Sequence, residues 1–297
     1  MQKIIPHLWF DTEAKEAADF YVQTFKDSKI LNHSVINSTP SGDCDILTFS
    51  IMGHTFMAIS AGPLFKINPS ISFMVACDSV EEVERLWGIL ADGGEVLMGL
   101  ETYPFSKKYG WLNDKYGVSW QIMHSSDNSI QTVTPSLMFA GTQAGNARKA
   151  MELYMSVFEN SGPMEGEGHI SEYGEGMEPN KPDMLNYARF KLEGQEFVVM
   201  DSAMEHAFNF NEAVSLLVNC DNQGEIDRLS NAMSVVPEAE QCGWLKDKFG
   251  VSWQMSPTVM HSMLATSDEE AKNRVTQAFL EMKRFDIEKL KEAFEGK

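Results

Sequence analysis

The stretch Gly110-Trp-Leu-Asn-Asp-Lys-Tyr-Gly-Val-Ser-Trp-Gln121 returns as Gly243-Trp-Leu-Lys-Asp-Lys-Phe-Gly-Val-Ser-Trp-Gln254, with ten of twelve positions identical. A separation of 133 residues is too long for a solenoid unit, whose periods run about 20 to 50 residues, and fits a whole domain. The chain therefore reads as one domain written twice. In each copy Asp-Lys-(Tyr/Phe)-Gly is a turn signal, with Gly117 and Gly250 free to take positive φ. Val-Ser-Trp-Gln-(Ile/Met) then alternates as a half-buried strand does. Each Trp is expected to pack beneath a helix and each Gln to face the other way.

At 297 residues the chain is long enough for two domains with their own cores. The net charge of −19 is spread along the sequence and repels phosphate backbones and anionic lipid surfaces. Nucleic acid and membrane are thus excluded as expected partners. No apolar run approaches the roughly 18 residues of a membrane span, and Met1 to His7 leads into a strand rather than a signal-peptide core. The expected localisation is cytoplasmic. The four cysteines, Cys44, Cys77, Cys220 and Cys242, have no zinc-ribbon or CxxC spacing. They read as buried thiols in a reducing compartment.

Residues 4–10 form an apolar run that reads as a strand. Ala14, Ala17, Tyr21 and Phe25 then recur at helical spacing, with Asp11 or Thr12 as the expected cap. Strands are expected over 30–38, 45–51 and 55–60, with Met52-Gly53-His54 as a hairpin turn. The order β-α-β-β-β is repeated from Ile71, with Ser79-x-x-Glu82 as a capping box and short strands near 95–98, 110–112 and 119–123. Tyr103 to Tyr109 reads as a loop, and 125–132 as a short polar linker. The second copy follows the same plan, except that residues 161–183, rich in Gly, Glu and Pro, read as a mobile loop. Residues 268–294 are expected to be helical, broken at Arg284-Phe-Asp286, with Asp286 capping the second part. The expected domains are 1–127 and 133–258, followed by a helical tail over 266–297.

The Pro-x-Leu-x-Phe openings, the Phe20-Tyr21 and Leu153-Tyr154 pairs, the Asp-Lys-(Tyr/Phe)-Gly-Val-Ser-Trp-Gln endings and the tail Met282-Lys-Arg-Phe-Asp-Ile-Glu-Lys-Leu290 together resemble the PhnB-like proteins. These are also called 3-demethylubiquinone 3-methyltransferase-like, and they belong to the vicinal-oxygen-chelate superfamily with glyoxalase I, extradiol dioxygenases and bleomycin-resistance proteins. The resemblance covers nearly the whole chain. It implies an α+β fold of two tandem glyoxalase-like domains, each of paired βαβββ modules forming an open cup around a small molecule, plus C-terminal helices. It also implies that the domains pair within the chain, with further oligomerisation left open.

Active members of the superfamily place a His on the first strand, a His on the first strand of the second module and a Glu on the last strand. Such ligands suit a divalent metal with open positions for substrate oxygens. Carried onto this chain, the positions fall on Pro6 or His7, on the imidazole-free stretch Pro69 to Phe73, and on Gln121. In the second copy they fall on Ser136, on Ser215 or Leu216, and on Gln254. His7 and Gln121 are the only metal candidates, and they do not make the usual site. No cofactor is therefore expected. No G-x-G-x-x-G suggests a methyl-donor cradle, and the seven His show no spacing for nucleophilic catalysis. The expected function is a small-molecule-binding cup lined by His7, Trp9, Tyr103, Trp111, Gln121, Met123, Trp244 and Gln254. The alternatives are a metal-dependent lyase, isomerase or dioxygenase, and a structural protein whose cups are filled by side chains.

Overall fold

The computed structural model of the chain describes residues 1–39, 42–126, 131–166 and 168–297. The first module runs β1 (Ile4–Phe10), α1 (Ala14–Thr24), β2 (Lys29–Thr39), β3 (Gly42–Ile51) and β4 (His54–Ser60). Neither Asp11 nor Thr12 caps α1. Glu13 occupies the cap position without a side-chain capping bond, its carboxylate accepting the Thr12 N–H instead, and Ser60 Oγ accepts the Ala14 N–H at 3.1 Å. The end of β4 lies against the helix start, so a tertiary partner replaces the local one. Met52 and Gly53 turn the β3–β4 hairpin with φ of 49° and 83°, the positive values a tight two-residue turn requires.

The second module runs β5 (Ile71–Cys77), α2 (Val80–Leu90), β6 (Glu95–Tyr103), β7 (Ser106–Asn113) and β8 (Ser119–His124). Ser79 Oγ accepts the Glu82 N–H at 3.2 Å, as the capping box predicts. The stretch from Tyr103 to Tyr109 is not a loop: Tyr103 pairs with Ser106 across a tight turn, and Tyr109 pairs with Met123 of β8. Its Ser-Lys-Lys polarity hides a strand that pairing with β8 imposes.

The second copy has β9 (Val133–Phe139), a 3-10 turn at Gly141–Gln143, α3 (Ala147–Val157), β10 (Gly162–Pro163), β11 (Ile170–Glu172), β12 (Leu185–Leu192) and β13 (Gln195–Asp201). Then come β14 (Val214–Cys220), α4 (Gln223–Met233), β15 (Trp244–Lys246) and β16 (Ser252–Pro257). The described part of 161–183 is mostly loop, as expected, with two short strands inside it. Its strands β10 and β11 pair with β12, Asn180 Oδ1 accepts the Ala203 N–H at 2.7 Å, and the Tyr173 hydroxyl donates to the Asp201 carbonyl at 2.8 Å. Composition signals weak local preference there, and contacts with the sheet edge supply the order.

Three helices close the chain: α5 (Thr258–Leu264), which the sequence reading passed over, α6 (Glu269–Leu280) and α7 (Ile287–Glu295). Asp286 caps α7 by accepting the Glu288 and Lys289 N–H groups. The segment before α7 covers the edge of β15, with Cys242 and Gly243 N–H donating to the Met282 and Lys283 carbonyls at 2.7 and 2.8 Å. Among the described residues the second copy keeps only β15, the counterpart of the end of β7, and has no counterpart of β6; the tail covers the edge there. Among the described residues no helix is long and apolar enough to cross a membrane.

The strands form two sheets, ordered β15-β16-β14-β1-β4-β3-β2 and β10-β12-β13-β9-β5-β8-β7-β6. The modules that share a sheet come from different copies. β1 runs antiparallel to β14, with His7 opposite Ser215, and β5 runs antiparallel to β9, with Ser72 opposite Ser136. The pairing expected within each copy is thus made between the copies. The helices pack on one face of each sheet in a continuous core that includes Phe49, Phe73, Trp120, Phe197 and Trp253.

Candidate functional site

The repeated signature first explains itself structurally. The buried Asp114 carboxylate accepts four hydrogen bonds: from Tyr21 Oη and Trp120 Nε1, each at 2.8 Å, and from the Tyr116 and Val118 N–H groups at 2.8 and 3.1 Å. Asp247 repeats this with Tyr154 Oη at 2.6 Å, Trp253 Nε1 at 3.0 Å and the Phe249 and Val251 N–H groups. Burial raises both carboxyl pKa values, while the donated hydrogen bonds pull the other way. Each Asp therefore ties the turn to the strand behind it and to the first helix. Trp120 lies 4.9 Å from Phe25 and 5.4 Å from Tyr21, ring centre to ring centre, and Trp253 repeats this against Tyr154 and Phe158. The Trp residues face the helices as expected, and Gln121 and Gln254 point to the opposite faces.

Those opposite faces line two cups. On the first sheet, His7 and Trp9 of β1 meet Ser215 of β14, Trp244 of β15 and Ser252 and Gln254 of β16. Trp244 sets its edge against His7 at 5.8 Å and against Trp9 at 6.2 Å, and Phe65 continues the cluster 5.1 Å from Trp9. Gln254 Nε2 donates to Ser215 Oγ at 2.9 Å. Burial pushes the His7 imidazole down to about 4, so it is neutral at physiological pH. Among the described residues its Nδ1 and the Ser252 hydroxyl are buried without a hydrogen-bond partner.

On the second sheet, Gln121 of β8 links Tyr109 of β7 to Ser72 of β5. The Tyr109 hydroxyl donates to Gln121 Oε1 and Gln121 Nε2 donates to Ser72 Oγ, each at 2.8 Å. Trp111 Nε1 donates to Ser119 Oγ at 2.8 Å. Ser136 of β9 is buried with no partner for its hydroxyl among the described residues. Met123 is half-buried two residues beyond Gln121 on the same face. Tyr103 stands at the hairpin end, its ring edge 5.4 Å from Tyr109 and its hydroxyl donating to the Gly99 carbonyl.

The eight expected lining residues therefore divide equally, His7, Trp9, Trp244 and Gln254 in one cup and Tyr103, Trp111, Gln121 and Met123 in the other. His7 and Gln121, the pair assigned by resemblance to one metal site, lie on different sheets. Gln254 is the residue that shares the His7 cup. The donor sets that result are His7, Ser215 and Gln254 in one cup, and Ser136, Ser72 and Gln121 in the other. One neutral imidazole with a hydroxyl and an amide offers no anionic ligand, and the second set has no imidazole or carboxylate. Gln121 already has both ends of its amide hydrogen-bonded. These residues do not fit a tightly held catalytic metal, and among the described residues no group of three or more His, Cys, Asp or Glu is arranged to hold one.

The sequence reading missed Arg189 and Glu196 on the second cup. Arg189 lies on the cup face of β12, opposite Val198, and Glu196 lies on β13; their side chains are each 8% exposed, with Nε 3.3 Å from Oε2. The available signal was an Arg inside the strand pattern of residues 185–192 where the first copy has Thr48.

Two sheets built from three βαβββ modules and a shortened βαββ one, each curved around a polar floor, define a tandem glyoxalase-like fold. The sequence profile of the 3-demethylubiquinone-9 3-methyltransferase family matches residues 2–123 and again 131–256. The chain belongs to that PhnB-like family. Among solved structures it is similar to a PhnB protein from Bacillus cereus, 40% identical over 42% of this chain and 100% of that one, with a TM-score of 0.40. It is also similar to a protein from Pseudomonas aeruginosa, 25% identical over 43% of this chain and 100% of that one, with a TM-score of 0.38. Glyoxalase I from Zea mays matches in fold alone, at 11% identity, covering 89% of this chain and 98% of that chain with a TM-score of 0.53. No match is found among curated proteins.

Proposed function

We propose that the chain is a cytoplasmic small-molecule-binding protein whose two cups hold ligands through buried imidazole, hydroxyl and amide groups, without a catalytic metal. The observation that carries this reading is the set of unpartnered polar atoms on the cup floors: His7 Nδ1 and Ser252 Oγ in one, Ser136 Oγ in the other. A buried polar group without a partner costs about 1–3 kcal/mol, and a small molecule resting on either floor would complete these groups. The family description names a methyltransferase, but neither cup offers the glycine-rich turn that would let a methyl-donor cofactor approach the backbone.

Native mass spectrometry of gently purified full chain tests the reading. The expected spectrum carries one or two organic adducts per chain, lost on mild denaturation. A bare chain, together with no thermal shift across a library of small metabolites, would leave the structural alternative standing. A metal-assisted lyase or isomerase is the second reading, favoured by the uncommitted Nδ1 of His7. It requires metal-dependent turnover that His7→Ala abolishes.

A further inference from the structure

We propose that the cup of the second sheet takes a small carboxylic acid, its carboxylate seated on Arg189 and the serine hydroxyls of the floor; this rests on the binding reading above. Across the floor Arg189 lies opposite Val198, Val198 opposite Ser136, Ser136 opposite Ser72 and Ser72 opposite Ser119, all on the face away from the helices. This row is rich in unspent donors. Among the described residues Ser136 Oγ and Arg189 Nε are buried without hydrogen-bond partners. Ser119 Oγ accepts from Trp111 Nε1 and donates to none of the described residues. In the Tyr109–Gln121–Ser72 chain one hydroxyl hydrogen is left over in either amide orientation: that of Ser72 as assigned, or that of Tyr109 if the amide is turned round. Such a floor complements a group with several acceptor oxygens and few donors.

Arg189 sets the charge of that group. Glu196 lies close enough to balance the guanidinium, yet at 3.3 Å its oxygen makes no hydrogen bond with Nε, so that N–H remains available to a second oxyanion beside the Tyr187 hydroxyl, which is hydrogen-bonded to the same guanidinium. Because the pair is already neutral in sum, a monoanion adds less uncompensated buried charge than a dianion, which favours carboxylate over phosphate. Half-buried Met74, Met98, Trp111 and Met123 flank the row and suit an apolar body. The first copy has Thr48 and Thr55 where the second has Arg189 and Glu196, so the other cup lacks this feature.

Isothermal titration of the full chain at pH 7 with phenylacetate, octanoate, their amides and phenyl phosphate tests the assignment. At least one carboxylate is expected to bind below about 1 mM, with its amide and phenyl phosphate about tenfold weaker or worse, the span of one charge-assisted hydrogen bond. The double variant Arg189→Gln/Glu196→Gln, which leaves no lone buried charge, should lose about tenfold in affinity. Ser136→Ala should weaken binding about threefold or more without lowering Tm, since it removes an unpartnered hydroxyl. Carboxylates that all bind more weakly than 1 mM, amides that bind equally, or variants that change nothing would overturn the assignment. If organic adducts still appear in the native mass spectrum, the binding reading survives that failure; if they do not, both fall.

Discussion

His7 is 5% exposed and held neutral by desolvation, which ties stability to pH with a definite sign. Its folded pKa of about 4 lies below the ordinary 6.5, so the unfolded chain binds the extra proton between those values. The stabilisation is complete above about pH 6.5 and is lost as pH falls toward 4, by about 3 kcal/mol in total. Urea unfolding across pH 4.5–7.5 should show this slope, and His7→Phe should reduce it; an unchanged slope would mean that His7 does not titrate as its burial requires. Asp114 gives a second prediction at this scale. Asp114→Ala leaves the Tyr21 hydroxyl, the Trp120 indole N–H and two backbone N–H groups without their acceptor, and should cost about 3–5 kcal/mol. A loss under about 1 kcal/mol in chemical denaturation would contradict its anchoring role. The residue types of the signature were legible in the sequence, but the anchor was not. Tyr21 and Asp114, like Tyr154 and Asp247, are 93 residues apart, and only the folded core brings them together.

At the scale of the element, alternation along β8 and β16 decided which side chains face the helices. Trp120→Ala should cost about 3–5 kcal/mol, as large-to-small core changes do, while Gln121→Ala should cost less and act mainly on binding in the second cup. Because Trp120 Nε1 donates to Asp114, the losses of Trp120→Ala and Asp114→Ala should fall short of additive in a double-mutant cycle. Additive losses would mean that the two residues act separately. Strong local signals located β1, the first helices, the Ser79 capping box and the Asp286 cap. The elements that misled are those whose pairing overrides weak local preference: β7 is held by β8, and β10 and β11 by β12. Arg189 was invisible as a site residue for the same reason, since only the register Arg189–Val198–Ser136 places it on a cup floor.

For the whole molecule, the β1–β14 and β5–β9 pairings make the two copies interdependent, since each cup draws its strands from both. Residues 1–126 expressed alone leave the β1 and β5 edges unpaired, and the fragment should dimerise or aggregate rather than persist as a folded monomer. Light scattering reads this directly, and a stable monomer with native-like circular dichroism would contradict the shared-sheet account. The same sharing explains why the site was only half legible: the sequence marks which residues face a cup, while the topology decides that His7 meets Gln254 and not Gln121. Elemental analysis of the full chain, purified without chelator or added metal, bears most directly on the metal-free binding cup. The account predicts transition metal far below one per chain and no change with His7→Ala. About one zinc, nickel, manganese or iron per chain, lost in His7→Ala together with a turnover, would contradict it.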